Sequence, residues 1–223
     1  MSHVIEPATS GRAKCRGCGE KIAKDELRFG EVTENPYGDG DRTLWFHPLC
    51  GAYKRPEPFV EAMAATLIED GSVADLEAIE TPAAPGETIA WLRDQSRFGL
   101  DHRRLPRIDG AGRAPTSRAH CRSCREPITK DSWRIGLVFY EEGYFNPSGF
   151  IHVGCWRNYL QAEDEGPAQG EAAGEDVSRR DAPNNEAPGE PLDPAVVLAR
   201  LAHFSPELTP TDLAEIDGEL KSA

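Results

Sequence analysis

Two stretches of the chain show the alternation and the short apolar runs that are typical of β-strands. They read LRFGEVT at residues 27–33 and WRIGLVFY at residues 133–140, and both are rich in β-branched and aromatic side chains. A loop of turn-forming residues follows each of them, at residues 34–41 and 141–149. The short apolar segments TLWFH and GFIH come next and predict a partner strand for each stretch. The pattern therefore predicts two small antiparallel sheets.

Helical periodicity follows each predicted sheet. Residues 59–80 carry apolar side chains at helical spacing, interrupted at Gly71, and predict two short helices. Residues 196–220 repeat this plan as helix, turn and helix. The segments PLCGAYK and VGCWRNYLQA predict a helix directly after each sheet, and residues 88–99 predict a connecting helix. We therefore expect a small α+β fold in which each sheet is followed by a helix and then by a short helical pair.

The chain contains the same stretch twice. Residues 11–32 and 117–138 align without a gap and are identical at 12 of 22 positions. A chain of 223 residues is long enough for two such units. We expect a first unit at 8–80, a linker with a short helix and a basic arm at 81–111, a second unit at 112–162, an insertion at 163–191 and a C-terminal helical pair at 192–223.

The net charge of −13 is unevenly distributed along the chain. Residues 88–162 carry a net charge of +5, whereas residues 163–223 carry −11. The stretch 163–191 is rich in Glu, Gly, Pro and Ala and predicts a disordered acidic insertion. The basic stretch 101–118 is open to two interpretations, a solvated linker or an arm that follows a phosphate backbone. The sequence shows no apolar run long enough to span a membrane and no apolar signal core, so we expect a soluble intracellular protein.

Six cysteines fall into two sets that share one pattern, C-x2-C followed after a long gap by H-x2-C. The sets are Cys15, Cys18, His47 and Cys50, then Cys121, Cys124, His152 and Cys155. Each set has an odd number of cysteines, which argues against disulfides. A redox C-x-x-C would need a βαβ context that is absent, and buried free cysteines would not explain the repeated order. Three thiolates and one imidazole form a closed tetrahedral shell for structural zinc, so we expect two Zn²⁺ ions.

The order of motifs resembles one known family. The pattern GRA-x-C-x2-C, I-x-K-D-x-x-R-x-G and W-[FY]-H-x2-C resembles the PARP-type zinc finger, the DNA-break sensor of nuclear poly(ADP-ribose) polymerase and of a nuclear DNA ligase. The long gap between the ligand pairs separates this pattern from the common finger, whose gap is about 12 residues. The resemblance covers residues 12–55 and 118–160 strongly and the helical tails weakly. It implies that the partner is DNA with nicks or ends.

The resemblance also implies roles for four arginines. Arg12 and Arg118 lie three residues before the first zinc ligand of their repeats, and Arg28 and Arg134 lie thirteen residues after it. Arginines at these places in the family contact backbone phosphate near the break. Each of the four is attached to a turn or strand that zinc would hold rigid, which positions its guanidinium in advance. The alternative for each is a solvated surface charge.

The family also places apolar side chains in the loop before the histidine, where they stack on the exposed base pair. In the first repeat, two of those positions hold a glycine and Arg42, and Tyr37 is the nearest aromatic. In the second repeat, Tyr144 or Phe145 could serve. The aromatic residue two positions before each histidine favours packing in the core first and a base platform second.

No catalytic motif is visible, since the chain lacks G-x-x-x-x-G-K-[ST], G-x-S-x-G and H-E-x-x-H. We therefore expect a non-enzymatic protein that recognises DNA breaks, associated with the nucleoid in a bacterium or with the nucleus in a eukaryote. The alternative is a protein–protein adaptor in which the fingers are a scaffold, and the helical tails and the acidic insertion are candidate sites for a protein partner. A zinc hydrolase is a third interpretation, and it would need an open position on the metal.

Chelation should unfold both repeats. Structural zinc contributes on the order of 10–16 kcal/mol of apparent binding free energy at neutral pH, which small aromatic cores could not replace. The far-UV circular dichroism spectrum in excess chelator checks this, and it should lose most of its strand and helix signal. A spectrum that stayed unchanged after the metal was removed would contradict a structural role for zinc.

Overall fold

The computed structural model describes residues 2–69, 89–162 and 192–223. The second predicted helix of the first pair, residues 81–88 of the linker and the acidic insertion lie outside the described residues. Six α-helices and two three-stranded antiparallel sheets form the described part. The predicted small α+β class is thereby confirmed. None of these helices is both long and apolar enough to cross a membrane.

The first sheet has one strand more than the sequence pattern predicts. Its strands are β1 (Val4–Pro7), β2 (Leu27–Glu34) and β3 (Asp41–Phe46), with β2 in the middle. Strand β1 precedes the predicted start of the unit at residue 8, and it pairs with β2 so that Ile5 lies opposite Phe29. Phe29 is fully buried between the sheet and the helices that follow.

Three helices cover the first sheet and connect it to the second unit. They are α1 (Pro48–Lys54), α2 (Pro56–Glu69) and α3 (Ile89–Asp101). Helix α1 approaches the sheet very closely at Gly51, where a Cβ atom would lie 2.6 Å from the Phe29 ring. The Phe59 ring of α2 meets the Phe29 ring edge to face, at a centroid distance of 5.2 Å. The first core therefore forms around one aromatic cluster.

The second sheet repeats the first. Its strands are β4 (Ile108–Arg113), β5 (Trp133–Glu141) and β6 (Tyr144–His152), with β5 in the middle. Strand β4 lies within residues 101–118, which the sequence analysis treats as a linker or a basic arm. Ile108 and Ala111 in this strand are buried in the second core, so the middle of the stretch, Ile108–Arg113, is part of the sheet. The basic residues around them mask the strand pattern in the sequence.

The second core is closed by three further helices. They are α4 (Trp156–Gln161), α5 (Pro194–Phe204) and α6 (Pro210–Lys221). The Asp193 side chain caps α5 by accepting a hydrogen bond from the backbone N–H of Ala195 at 2.8 Å. The buried Trp156 donates its indole N–H to the carbonyl of Leu220 at 3.0 Å, which attaches α6 to the second finger.

Helix α5 belongs to the second unit but reaches into the first. Arg200 is 1% exposed. It donates to the carbonyl of Tyr53 at 2.8 Å and to that of Gln95 at 3.0 Å. Burial lowers the pKa of Arg200 to about 10, so the guanidinium stays charged at neutral pH. One turn later the hydroxyl of Ser205 accepts a hydrogen bond from the backbone N–H of Ala111 in β4. The end of α5 thus bonds to both units.

The hairpin of the second sheet also packs on the first unit. The Phe145 ring lies 6.3 Å from the Phe46 ring and 5.0 Å from that of Tyr140. The Tyr140 hydroxyl donates to the buried carboxylate of Glu31 at 3.3 Å. Glu31 also accepts the Nε–H of Arg55, shared between its two oxygens, and an N–H of the Arg55 Nη2. A polar network therefore surrounds the aromatic contact between the units.

A buried lysine adds a third link. The Lys54 Nζ, at the end of α1, donates to the Asp109 carboxylate at 2.6 Å and to the carbonyl of Ile108 at 3.0 Å. It also lies 4.2 Å from the centre of the Phe204 ring. Burial lowers the pKa of Lys54, while the carboxylate of Asp109 opposes that shift. The two units therefore share an interface of buried, paired polar groups and aromatic rings.

Replacing Arg200 with methionine should destabilise the chain by about 2–4 kcal/mol, since two buried carbonyls lose a charged donor. Urea unfolding measures this, and the transition of the first unit should shift together with that of the second. Arg157→Met makes the same chemical change at the half-buried Arg157 of α4, and should cost less than about 1 kcal/mol. Equal unfolding midpoints for the two variants would contradict the contribution to stability that we assign to Arg200.

Candidate metal centres and nucleic-acid interface

The first Cys₃His cluster forms where β3 ends and α1 begins. Its members are Cys15, Cys18, His47 and Cys50, and their ligand atoms all lie within 4.8 Å of one another. The Cys18 Sγ lies 3.3 Å from the His47 Nδ1. Cys15 and Cys50 are buried, and Cys18 is partly exposed. Two sections of chain more than 25 residues apart thus meet at one point.

The second cluster repeats the first with greater exposure. Its members are Cys121, Cys124, His152 and Cys155, again with all ligand atoms within 4.8 Å. The His152 Nδ1 lies 3.5 Å from the Cys124 Sγ and 3.8 Å from the Cys155 Sγ. Cys124 is exposed, whereas its counterpart in the first cluster is only partly so. The structure therefore brings together the eight residues that the sequence pattern picks out.

Both clusters fit zinc. A tetrahedral Zn²⁺ ion with Zn–S bonds of about 2.3 Å holds its sulfur ligands roughly 3.8 Å apart, and the ligand atoms of each cluster all lie within 4.8 Å of one another. Three cysteines and one histidine are a ligand set of structural zinc sites, and four protein ligands leave no open position. The chain therefore holds two structural zinc ions. A zinc hydrolase site, which needs such a position, does not fit either cluster.

The crowding of the thiols shifts their pKa values in opposite directions. Hydrogen bonds from Cys15 and Cys50 hold the pKa of Cys18 well below its ordinary value. The same close contacts raise the pKa of Cys50 well above its ordinary value, because Cys15 and Cys18 lie beside it. In the second cluster, burial raises the pKa of Cys155 to about 12. In the first cluster, the close approach of the three sulfurs thus lowers the pKa of one thiol and raises that of another.

The histidine ligands are oriented by groups outside each cluster. Both present Nδ1 to the sulfurs. The His47 Nε2 lies 3.7 Å from the Glu26 carboxylate, and the His152 Nε2 lies 3.2 Å from the carbonyl of Pro127. Such partners fix the tautomer in which Nε2 carries the proton and leave Nδ1 free to bind metal.

The C-x2-C turn is tightest in the first repeat. Gly17 lies between the two cysteines, and a Cβ atom there would lie 2.7 Å from the Cβ of Cys50. The backbone N–H groups of Gly17 and His47 each donate to the Cys15 sulfur at 3.3 Å. Ser123 takes the place of the glycine in the second repeat, whose cluster is more exposed.

Two of the predicted arginines stack on aromatic rings. The guanidinium of Arg28 lies 3.5 Å from the centre of the Trp45 ring, and that of Arg134 lies 3.6 Å from the Phe150 ring. Trp45 and Phe150 are the aromatic residues two positions before the zinc histidines. The sequence analysis does not predict that these two rings support the arginines. The signal for it is the R-x-G motif, because its glycine in the first repeat, Gly30, pairs with Trp45 and leaves room for the ring.

The two arginines differ in their charged surroundings. Arg28 lies opposite Glu6 in the β1–β2 register and donates two hydrogen bonds to its carboxylate. Arg134 lies opposite Gly112, the corresponding position of β4. No carboxylate of the described residues pairs with Arg134. Arg28 is therefore buried and paired with a carboxylate, whereas Arg134 is partly exposed and has no carboxylate partner among the described residues.

The other predicted arginines are exposed. Arg12 and Arg118 both lie in the turn before the first ligand of their repeat. Arg16 and Arg122, inside the C-x2-C turns, are exposed as well. The backbone N–H of each donates to the strand that precedes the histidine: that of Arg16 bonds to the Trp45 carbonyl, and that of Arg122 to the corresponding carbonyl of β6. Each zinc turn therefore presents cations on a rigid backbone.

The two predicted platform residues of the first repeat have different surroundings in the structure. Tyr37, in the loop between β2 and β3, is 76% exposed. Arg42 instead donates to the backbone carbonyl of Glu142 at 2.7 Å, across the contact between the units. Tyr37 is therefore available to a ligand, and Arg42 is partly used within the protein.

The two predicted platform residues of the second repeat also differ in their exposure to solvent. Phe145 is partly buried against the first unit and packs on Phe46. Tyr144 remains 46% exposed, and the Arg16 guanidinium of the first repeat lies 5.1 Å from the centre of its ring. The sequence could not distinguish these neighbours, because the choice depends on where the first unit packs.

Part of the chain matches the model of a known protein family. Residues 6–77 match the model of the "Poly(ADP-ribose) polymerase and DNA-Ligase Zn-finger region". Poly [ADP-ribose] polymerase 1 of Gallus gallus is 32% identical over 170 residues, which cover 70% of this chain. The poly [ADP-ribose] polymerase of Drosophila melanogaster is 25% identical over 151 residues, or 63% of this chain. Polynucleotide 3'-phosphatase ZDP of Arabidopsis thaliana is 25% identical over 171 residues, or 70% of this chain.

The chain spans a small part of these relatives, namely 16%, 14% and 24% of their own lengths. The aligned regions are each longer than one finger, and the second cluster repeats the ligand order and the sheet of the first. Two tandem zinc fingers of the PARP type are therefore present in this chain.

Proposed function

We propose that this chain binds DNA at nicks and ends through its two zinc fingers, without chemistry of its own. The observation that carries the proposal is Arg134, a guanidinium held flat on an aromatic ring beside a zinc cluster, with no carboxylate opposite it. A planar guanidinium fixed in this way can bind a phosphate through two hydrogen bonds, with little loss of side-chain entropy.

The exposed cations extend that binding surface. Arg118 and Arg122 lie on the second zinc finger with Arg134, and Arg12 and Arg16 lie on the first. Phosphate contacts of this kind position a protein on DNA without reading its sequence. They suit a ligand that is defined by a break in the backbone instead of by a base sequence.

Two exposed tyrosines supply the apolar component. A nick unstacks a base pair and uncovers its face, which an aromatic ring can cover. Tyr37 projects from the first finger and is 76% exposed. Tyr144 is 46% exposed beside Arg16, so it combines a ring with a cation from the other finger. We propose these two rings, and not Phe145, as the base platforms.

A second candidate function is a protein–protein adaptor. A groove of about 520 Å³ lies at the junction of the two units, and Leu100 and Phe139 line it. Both side chains are about two-fifths exposed, at 42% and 41%. The pairing of Arg28 with Glu6 also favours this candidate, because it removes one cation from the DNA surface. In either case the place of action would be wherever the cell keeps its DNA or the partner protein.

A nick should be sufficient to create a binding site. A DNA dumbbell, whose ends are closed by hairpins, offers no end until one nick is introduced. We expect the nicked dumbbell to bind at least about tenfold more tightly than the sealed one, with an affinity that falls as salt rises. A gel shift at several salt concentrations measures both effects.

Equal affinity for the nicked and sealed dumbbells would contradict break recognition. If the folded, zinc-loaded chain bound neither of them, the adaptor would be the better candidate. Resealing the nick with a DNA ligase provides the matched control, since it restores the sealed substrate in the same preparation.

Arg134→Gln should weaken binding to the nicked dumbbell by about tenfold or more, because a charged hydrogen bond contributes about 1.5–3 kcal/mol. The slope of log affinity against log salt should fall by about one. Lys221→Gln is the control, since it removes the same charge from a residue that is already paired with Asp217 on α6. Wild-type affinity and slope in Arg134→Gln would contradict the role given to Arg134.

A further inference from the structure

One contact connects the first zinc cluster to the far end of the chain. The His203 Nε2 lies 3.1 Å from the Cys50 Sγ, although 153 residues separate the two in sequence. His203 lies in the last turn of α5, which belongs to the second repeat. It is not one of the four ligands of the first cluster.

Packing fixes the orientation of this imidazole. The His203 ring meets the Tyr53 ring edge to face at 5.5 Å and the Phe204 ring at 4.8 Å. One turn earlier on α5, Arg200 donates to the carbonyl of Tyr53 at 2.8 Å. Helix α5 therefore contacts α1 at two points, the Cys50 sulfur and the carbonyl three residues later.

The chemistry of the cluster makes a donor useful at this place. Three thiolates around Zn²⁺ leave one net negative charge, and Cys50 is completely buried. A buried anion that lacks hydrogen-bond donors is costly. An imidazole can carry its proton on Nε2, and the 3.1 Å distance from the His203 Nε2 to the Cys50 Sγ is suitable for a hydrogen bond to the sulfur.

Among the described residues, the second cluster has no such donor. The counterpart of Cys50 there is Cys155, and its sulfur contacts the cluster's own His152 at 3.8 Å. Within the described residues, no side chain from another element donates to that sulfur. The second site of the same molecule is therefore an internal control for the first.

We propose that His203 donates a hydrogen bond to the Cys50 ligand of the first zinc site, and that retention of zinc in the first finger is thereby coupled to the docking of helix α5. The coupling is reciprocal by thermodynamic necessity. Zinc in the first finger strengthens the contact between the repeats, and the docked helix slows the loss of that zinc. This inference does not depend on DNA binding.

His203→Phe separates the donor from the packing, because phenylalanine keeps a ring against Tyr53 but has no N–H. Competition with a chromogenic chelator should show one zinc site weakened by about 10–100-fold and the other unchanged. His203→Gln should recover part of the loss, since its amide N–H can still donate. With ¹¹³Cd in place of zinc, only the resonance of the first site should move in His203→Phe.

Unchanged affinities and unchanged resonances in His203→Phe would overturn the proposal. So would an equal weakening of both sites, which would indicate general destabilisation. If the variant fails to fold, the wild-type protein decides the question. A scalar coupling between the His203 Nε2 proton and ¹¹³Cd in the first site supports the hydrogen bond, and its absence from a spectrum that shows the backbone N–H couplings to Cys15 overturns it.

Discussion

Each zinc ion has to be held by two pieces of chain that are far apart in sequence, and the rest of the structure depends on that closure. The C-x2-C turn and the H-x2-C junction meet only when the sheet between them has its correct register, so the metal selects one pairing of the strands. The same closure makes the backbone around Arg16 and Arg122 rigid, since their N–H groups bond to the strand that carries the histidine. Zinc thus determines both the fold of each repeat and the place of its exposed cations.

The second constraint is the interface between the repeats. The buried Arg200, the paired Lys54 and the ring of Phe145 leave the two fingers in one relative orientation. That orientation uses some residues that could otherwise contact a ligand and leaves others, such as Tyr144 beside Arg16, exposed at the junction. A ligand that contacts both fingers would therefore meet a preformed surface, and would not have to order a flexible linker at a cost in entropy.

The sequence predicts the metal clusters, the strands β2, β3, β5 and β6 and the helices next to them, because ligand spacing and periodicity are local signals. It does not predict β1 and β4, since short strands among charged residues give a weak pattern. The sequence also does not show that Phe145 is packed against the first unit while Tyr144 stays exposed, or that Glu6 pairs with Arg28. Those outcomes depend on contacts between distant segments. The role of His203 was invisible for the same reason, as its partner lies 153 residues away.

The most direct test of the central claim is the metal content of the folded protein. Elemental analysis of the purified chain, combined with native mass spectrometry, should find two zinc ions per polypeptide, one for each Cys₃His cluster. A folded chain that carried markedly fewer than two zinc ions, with its circular dichroism spectrum intact, would contradict the claim that zinc closure determines the structure.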